Sequence, residues 1–245
     1  MLVSRPIEAR PINKNDRQVA CIPDVLSPYA GLALDEALAG EFTSRRSASK
    51  LIVWRCTAAL LVTLSETRLP RFAETAAQMQ AVGWPVVVRK SGGGTCPVGP
   101  GTVQLATIEL APPDAAMGIR YEALAKLIHS TLACFRIDCR IAPVPGAYCP
   151  GRYDLSVGGR KIAGMAQRWF RNRHGVRCVI ASASLNVEEA PEGLASVVNE
   201  FYANAGSGFR CRPAALTNMR LSGCQLADLT KAVMSRLWRT GTPLA

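Results

Sequence analysis

YDLSVGGRKIAGMAQRWF, residues 153–170, reads as two strands joined by a two-residue turn. Gly158-Gly159 suits the two positive-φ positions of a type I′ hairpin. The second strand, 160–170, continues through RNRHG, 171–175, into VRCVIASASLNV, 176–187, giving a three-stranded meander. Lys161 stands there among small residues, Ala163, Gly164 and Ala166. Strict alternation puts Lys161, Ala163, Met165 and Gln167 on one face. A glycine inside a strand often marks a place where another backbone or a ligand comes close. The stretch therefore suggests a ligand lying against the sheet beside Lys161; the plainer alternative is a solvated strand lysine.

Upstream, RKSGGGTCPVGPG, 89–101, is a glycine-rich loop, and TVQLATIEL, 102–110, is the strand after it. Three glycines let backbone N–H groups approach an anion closely, with Arg89 and Lys90 beside them. The alternative is a wide turn between strands. No helix follows at the spacing of a P-loop or dinucleotide fingerprint. Further out, apolar periodicity predicts helices over 29–42, 71–82, 119–136 and 189–202. In the first, Leu34, Leu38 and Phe42 take one side and Asp35 and Glu36 the other. LIVWRCTAALLVTL, 51–64, reads as two strands with a bend at 56–59, and WPVVV, 84–88, as a buried strand. Residues 1–28, with Pro6, Pro11, Pro23 and Pro28, read as an extended arm or edge segment. Ser222 and Gln225 form a capping-box pattern before a last helix over 223–238. Strands and helices mix without regular βαβ alternation, which argues α+β with a mixed, largely antiparallel sheet flanked by helices.

Composition narrows the class. The 245 residues are 49% hydrophobic and 19% charged, a folded globular balance. No apolar run is long enough to span a bilayer, and no secretory h-region opens the chain. Nine cysteines without a CxxC pair, and only His129 and His174, give no zinc pattern. Reduced thiols and a cytoplasmic location are expected. His129, His174, Trp54 and Trp169 read as surface or packing residues. The net charge of +11 calls for an acidic partner. Seven Lys/Arg against one acid, Asp154, fall between Arg152 and Arg177. Aromatics are 6%, too few for an obvious base-stacking platform, so nucleic acid is disfavoured.

RKSGGGT followed some sixty residues later by YDLSVGGRKIAGMAQR resembles the lipoate-protein ligase and octanoyltransferase family, with biotin protein ligases as distant relatives. GLALDEAL, 31–38, and LIVWR, 51–55, look like its opening helix and first core strand. The resemblance implies a biotin/lipoate protein ligase-like fold, similar to class II aminoacyl-tRNA synthetases. It implies a single catalytic domain over 29–245 behind an arm at 1–28, closed by a C-terminal helix, with no separate accessory domain. It implies attachment of a lipoyl or octanoyl group to the acceptor lysine of an acidic lipoyl carrier domain, of the E2 or glycine-cleavage H type, with acyl-carrier protein a possible donor and neither nucleic acid nor membrane a partner.

By the same resemblance Lys161 contacts the acyl carbonyl. Arg89, Ser91, Gly92, Gly93, Gly94 and Thr95 form the carboxylate- or phosphate- and acyl-binding loop. Tyr153 and Asp154 match the family's Tyr-Asp/Glu pair, Asp154 facing an adenylate or its magnesium in ligases. Ile162, Ala163, Gly164, Ala166 and Gln167 line the acyl site. A ligase would use lipoate, ATP and Mg²⁺; a transferase would carry octanoate or lipoate as a thioester. No tightly bound metal is expected in either. Pro97-Val98-Gly99 stands where many ligases carry a histidine and an acid, which favours a transferase or a split ligase. Cys149, four residues before Tyr153, is then the candidate nucleophile, with Cys96 a weaker rival. Arg168, Arg171 and Arg173 are the expected carrier-docking cations. The competing readings are a non-catalytic basic protein that binds nucleic acid or acyl groups, and a biotin protein ligase.

Overall fold

The computed structural model describes residues 17–43, 49–111 and 116–219. Seven strands form the main sheet: β1 (Arg17–Leu26), β2 (Ser49–Cys56), β6 (Thr102–Leu110), β10 (Arg177–Asn186), β9 (Arg160–Arg171), β8 (Leu155–Val157) and β7 (Arg140–Ile141), in that spatial order. Only β1 and β2 run parallel; the other neighbours are antiparallel. A second sheet of three strands places β3 (Ala59–Thr63) between β4 (Val86–Arg89) and β5 (Cys96–Val98). The expected meander is β8–β9–β10, and its Gly158-Gly159 turn has positive φ at both residues. The bend at 56–59 proves to be the point where the chain leaves one sheet for the other.

Side-chain alternation divides the main sheet cleanly. Leu51, Val53, Val103, Leu105, Ala181, Ala183 and Leu185 pack under α3 (Met117–Cys134), whose Leu124, Leu127, Ile128 and Leu132 face them. The residues between them, Ile52, Trp54, Ala106, Ile108 and Ile180, face α1 (Pro28–Ala39). With both faces covered, even Ser49, Lys50, Thr102, Gln104, Thr107 and Glu109, polar positions of β2 and β6, are buried. α2 (Phe72–Ala81) and α4 (Pro191–Ala205) pack on the small sheet through Met79, Leu194, Val198 and Phe201.

Local signals explain the helix ends. Ser27 Oγ accepts from Ala30 N at 3.1 Å and Pro28 fills the first turn of α1. α4 also begins on a proline, and it ends at Gly206 with φ +86°. Three readings need correction. Asp35 is on the buried side of α1, 5% exposed, because the stripe that meets the sheet runs through Gly31, Asp35 and Ala39 and not through the leucines. β4 is an edge strand with Val88 41% exposed, so WPVVV is not buried throughout. On β9 the alternation slips. Leu155 pairs with Ala163 but Ser156 with Lys161, so Ile162 is an extra residue, a bulge. Lys161 therefore shares its face with Gly164 and Ala166, not with Ala163 and Gln167. The expected helix over 223–238 lies outside the described residues.

Candidate active site

The α1 face of the main sheet carries small or polar residues where β9, β10 and β6 meet: Gly164, Ala166, Ser182, Ser184, Gln104 and Ala106. Missing side-chain volume there leaves a slot. Leu32 and Asp35 of α1 bound it, and Leu61 and Cys96 of the small sheet form another wall. Arg89, Ser91, Tyr148, Cys149 and Lys161 also line it.

Cys149 has φ +40°, a left-handed conformation that a non-glycine residue adopts only where its surroundings hold it. The clamp is Lys161. Its ammonium donates to Tyr148 O at 3.0 Å and Cys149 O at 2.8 Å, and pairs with Asp154 Oδ1 at 3.0 Å. All three donors of the ammonium are thereby engaged. Asp154 Oδ2 accepts from Gly151 N at 3.0 Å, which ties down the other side of the same loop. Burial pushes the Asp154 carboxyl up and Lys161 pulls it back. Gly164 makes the clamp possible, since a Cβ there would stand 2.9 Å from Lys161 Nζ. The close approach signalled by that glycine is the chain's own lysine.

The glycine loop meets Cys149 from the opposite side. Gly94 N donates to Cys149 Sγ at 3.0 Å, and Arg89 Nη2 lies 3.9 Å from the same sulfur. A Cβ on Gly93, where φ is +107°, would come within 2.7 Å of Sγ; around Gly92 there is open space. Gly93 and Gly94 are thus the glycines the contact requires. Arg89 donates to Ser91 Oγ and to Gly94 O, both at 2.8 Å, and shapes the loop from within.

Glu66 fixes the loop's exit. Its carboxylate accepts from Thr95 N and Thr95 Oγ1 at 2.8 Å, from Thr63 N at 2.8 Å and Thr63 Oγ1 at 3.1 Å, and from the Tyr202 hydroxyl. Thr95 is accordingly a loop anchor. Glu66 carried no signal in the sequence, because, Thr63 aside, its partners lie 29 and 136 residues away.

The expected residues divide. Lys161, Cys149, Arg89, Ser91, Gly93, Gly94, Asp154, Gly164 and Ala166 converge on one place. Ile162 and Ala163 instead fill the core under α3, for the reason of the bulge. Gln167 also turns to that side, donating to Met117 O at 3.1 Å and accepting from Trp169 Nε1 at 3.0 Å. Tyr153 stacks on Tyr121 with ring centroids 4.7 Å apart. Arg152 sits over the Tyr153 ring and not on the thiol. At Cys96 burial pushes the thiol up more than Arg89 draws it down, which makes it a poor nucleophile. Trp54 is a wall of the slot as well as core. His129 and His174 are exposed.

Arg168 lies at the slot's outer mouth and pairs with Glu36, which also takes Lys90 Nζ at 3.0 Å. Although burial raises it, the Glu36 carboxyl is held below its ordinary value by these two cations. Arg171 and Arg173 are exposed at the β9–β10 turn. Arg171 stands ten residues along β9 from Lys161, about 33 Å at strand rise, and Arg173 lies in the turn that follows. Asp154 does not suit a magnesium ion: both oxygens are bonded and the residue is 1% exposed.

The lipoyl protein ligase A/B catalytic domain model matches residues 27–235. An octanoyl-[GcvH]:protein N-octanoyltransferase of Geobacillus kaustophilus is 29% identical over 85% of this chain and 74% of its own length. One from Anoxybacillus flavithermus is 31% identical over 72% of the chain, and a lipoyl-[GcvH]:protein N-lipoyltransferase of Listeria monocytogenes 28% over 71%. The chain spans 62% and 61% of those two proteins. Among solved structures, a lipoate-protein ligase A bound with ATP superposes with a TM-score of 0.71 over 91% of this chain and 85% of its own, at 15% identity. A lipoate protein ligase from T. acidophilum with bound lipoic acid gives 0.69 over 91% and 86%, at 16%. At such identities the likeness is one of fold.

Proposed function

The chain belongs to the lipoyl protein ligase A/B catalytic-domain family, and from that premise we propose that it moves a lipoyl or octanoyl group between carrier proteins through a thioester on Cys149. The observation that carries this reading is the sulfur of Cys149, set in the wall of the slot with Gly94 N–H at 3.0 Å.

The acyl chain enters the slot over Gly164 and Ala166, with its carbonyl at Cys149. Sulfur attacks the carbonyl carbon, the bond to the donor breaks, and the proton leaves with the departing amine or thiol. The acceptor lysine, as a neutral amine, then attacks the thioester carbon and releases the thiol. Each tetrahedral intermediate carries an oxyanion, and the donors nearest the reacting sulfur are Gly94 N–H and the Arg89 guanidinium. One well-placed donor of this kind lowers the barrier by about 3–4 kcal/mol. Lys161 acts as a positioning residue, holding the strained Cys149 backbone through its three bonds. An adenylating route has less support: Asp154 is closed to a metal, and a thiol occupies the reaction end of the slot.

Lipoylated or octanoylated carrier domains are the proposed donors and acceptors, and the exposed arginines at the β9–β10 turn the proposed contact for their acidic surfaces. The test is transfer from an octanoylated or lipoylated H-type carrier to an apo E2 lipoyl domain, with no ATP. Mass gain on the acceptor, lost in Cys149→Ala, supports the reading. Gain that requires ATP and survives Cys149→Ala refutes it.

A further inference from the structure

Acyl transfer at Cys149 leaves unused a cluster of charges at the outer mouth of the slot. Glu36 takes Lys90 Nζ on Oε2 at 3.0 Å and Arg168 on Oε1. The three residues belong to α1, the glycine loop and β9, so the cluster bridges the opening. The space they border shares Leu32, Arg89, Ser91 and Ser182 with the slot, so the one leads into the other.

Charge does not balance on this rim. One carboxylate faces two cations, and Asp35, the other acid there, is 5% exposed and does not offset them at the surface. The Lys90 side chain is 58% exposed and gives Glu36 one of its three donors. The Arg168 guanidinium is held between Glu36 and the Phe170 ring, with the centroid 4.3 Å away. Little of its freedom remains to be lost on binding. Val88, 41% exposed, adds an apolar ledge beside the charges. A second carboxylate arriving here meets unused donors and a surplus positive charge.

Position indicates what brings that carboxylate. Gly164, Ala166 and Arg168 alternate along one face of β9, which puts Arg168 about 13 Å from Gly164 at strand rise. Arg171 and Arg173 lie farther out, where they can draw in an acidic body without fixing where its lysine goes. Lys90 and Arg168 stand beside the opening through which an acylated side chain would reach Cys149.

Resting on the acyl-transfer reading above, we infer that Lys90 and Arg168 form a docking site for a carboxylate of the carrier domain close to its acylated lysine, and that Glu36 fills this site between turnovers as an internal competitor.

Acylation of Cys149 is followed by intact mass for the full chain with two donors: an octanoylated H-type carrier, and the octanoyl thioester of a small neutral thiol, which has no surface to dock. The quantity read is the ratio of the carrier rate to the small-donor rate, at low salt and with carrier below saturation. Lys90→Glu is expected to lower the ratio about tenfold, and Glu36→Gln, which frees both cations, to raise it about threefold. Arg168→Gln, expected to lower it about threefold, carries the test if Lys90→Glu does not fold. At about 0.5 M salt the variants should converge on the parent. Opposite signs for the cation variants and Glu36→Gln, both erased by salt, support the inference; a damaged fold does not raise the ratio. Ratios that stay at the parent's value in all three variants overturn it and leave acyl transfer standing. Equal losses with both donors assign these residues to the slot itself and overturn it too. No acylation of Cys149 by either donor overturns the functional reading, and the inference with it.

Discussion

Asp35→Asn should make the protein more stable at alkaline pH than the parent, and its effect should fade toward acid. Asp35 is 5% exposed, and its carboxyl is raised from 3.8 to about 7, chiefly by burial. Between those two values the folded state holds a proton that the unfolded chain releases. For an acid raised in this way, folding loses stability as pH climbs from about 4 to about 7, and the loss is complete above 7. At 1.36 kcal/mol per unit, the full loss is about 4 kcal/mol. Asparagine has nearly the same shape and nothing to ionise. Urea unfolding of parent and variant at pH 5.5 and pH 8 isolates this one group, because every other titration is common to both. The variant's advantage should grow by about 2 kcal/mol between the two conditions. A difference in stability that does not change with pH would show that Asp35 ionises freely in the folded protein.

Gly93→Ala should abolish most transfer, since its Cβ would meet Cys149 Sγ at 2.7 Å and Arg89 Nη2 at 3.0 Å; Gly92→Ala, with open space around it, should stay within about threefold. Rate assays on the two variants make the comparison. Glu66→Ala strands three buried donor groups, Thr63 N, Thr95 Oγ1 and the Tyr202 hydroxyl, and should cost about 3 kcal/mol or more in chemical denaturation, with a changed alkylation rate at Cys149. Lys161→Met leaves Asp154 buried and unpaired and should lose about 3–5 kcal/mol. Lys161→Met with Asp154→Leu should recover most of that stability, measured by thermal melting, without recovering transfer, because the clamp on the Cys149 backbone is still missing.

The meander, its Gly158-Gly159 turn and the helices were legible because each rests on local signals: a period of two or 3.6, a proline at a first turn, paired glycines. The convergence of the glycine loop with Lys161 was legible only through the pairing of two motifs. The bulge at Ile162 was not, since one extra residue leaves no mark on the pattern of β9 yet moves Ala163 and Gln167 to the opposite face. Asp35 read as a solvent residue because the buried stripe of α1 is marked by the small residues Gly31 and Ala39, which carry less hydrophobic signal than Leu34 and Leu38. Glu66 was invisible for a related reason: its donors come from β3, from the glycine loop and from α4. The basic cluster between Arg152 and Arg177 appears continuous in sequence but is dispersed in space. Lys161 is buried on Asp154, Arg168 is held by Glu36, and Arg171 and Arg173 stand at the far turn.

Intact-mass spectrometry of the protein after brief mixing with an octanoylated or lipoylated H-type carrier, quenched in acid, tests the central claim most directly. The account predicts one acyl group per chain, mapped to Cys149, released by hydroxylamine and discharged when an apo lipoyl domain is added. Transfer to the acceptor that proceeds at the parent's rate in Cys149→Ser or Cys149→Ala, with no acyl group found on the chain at any time, would contradict it.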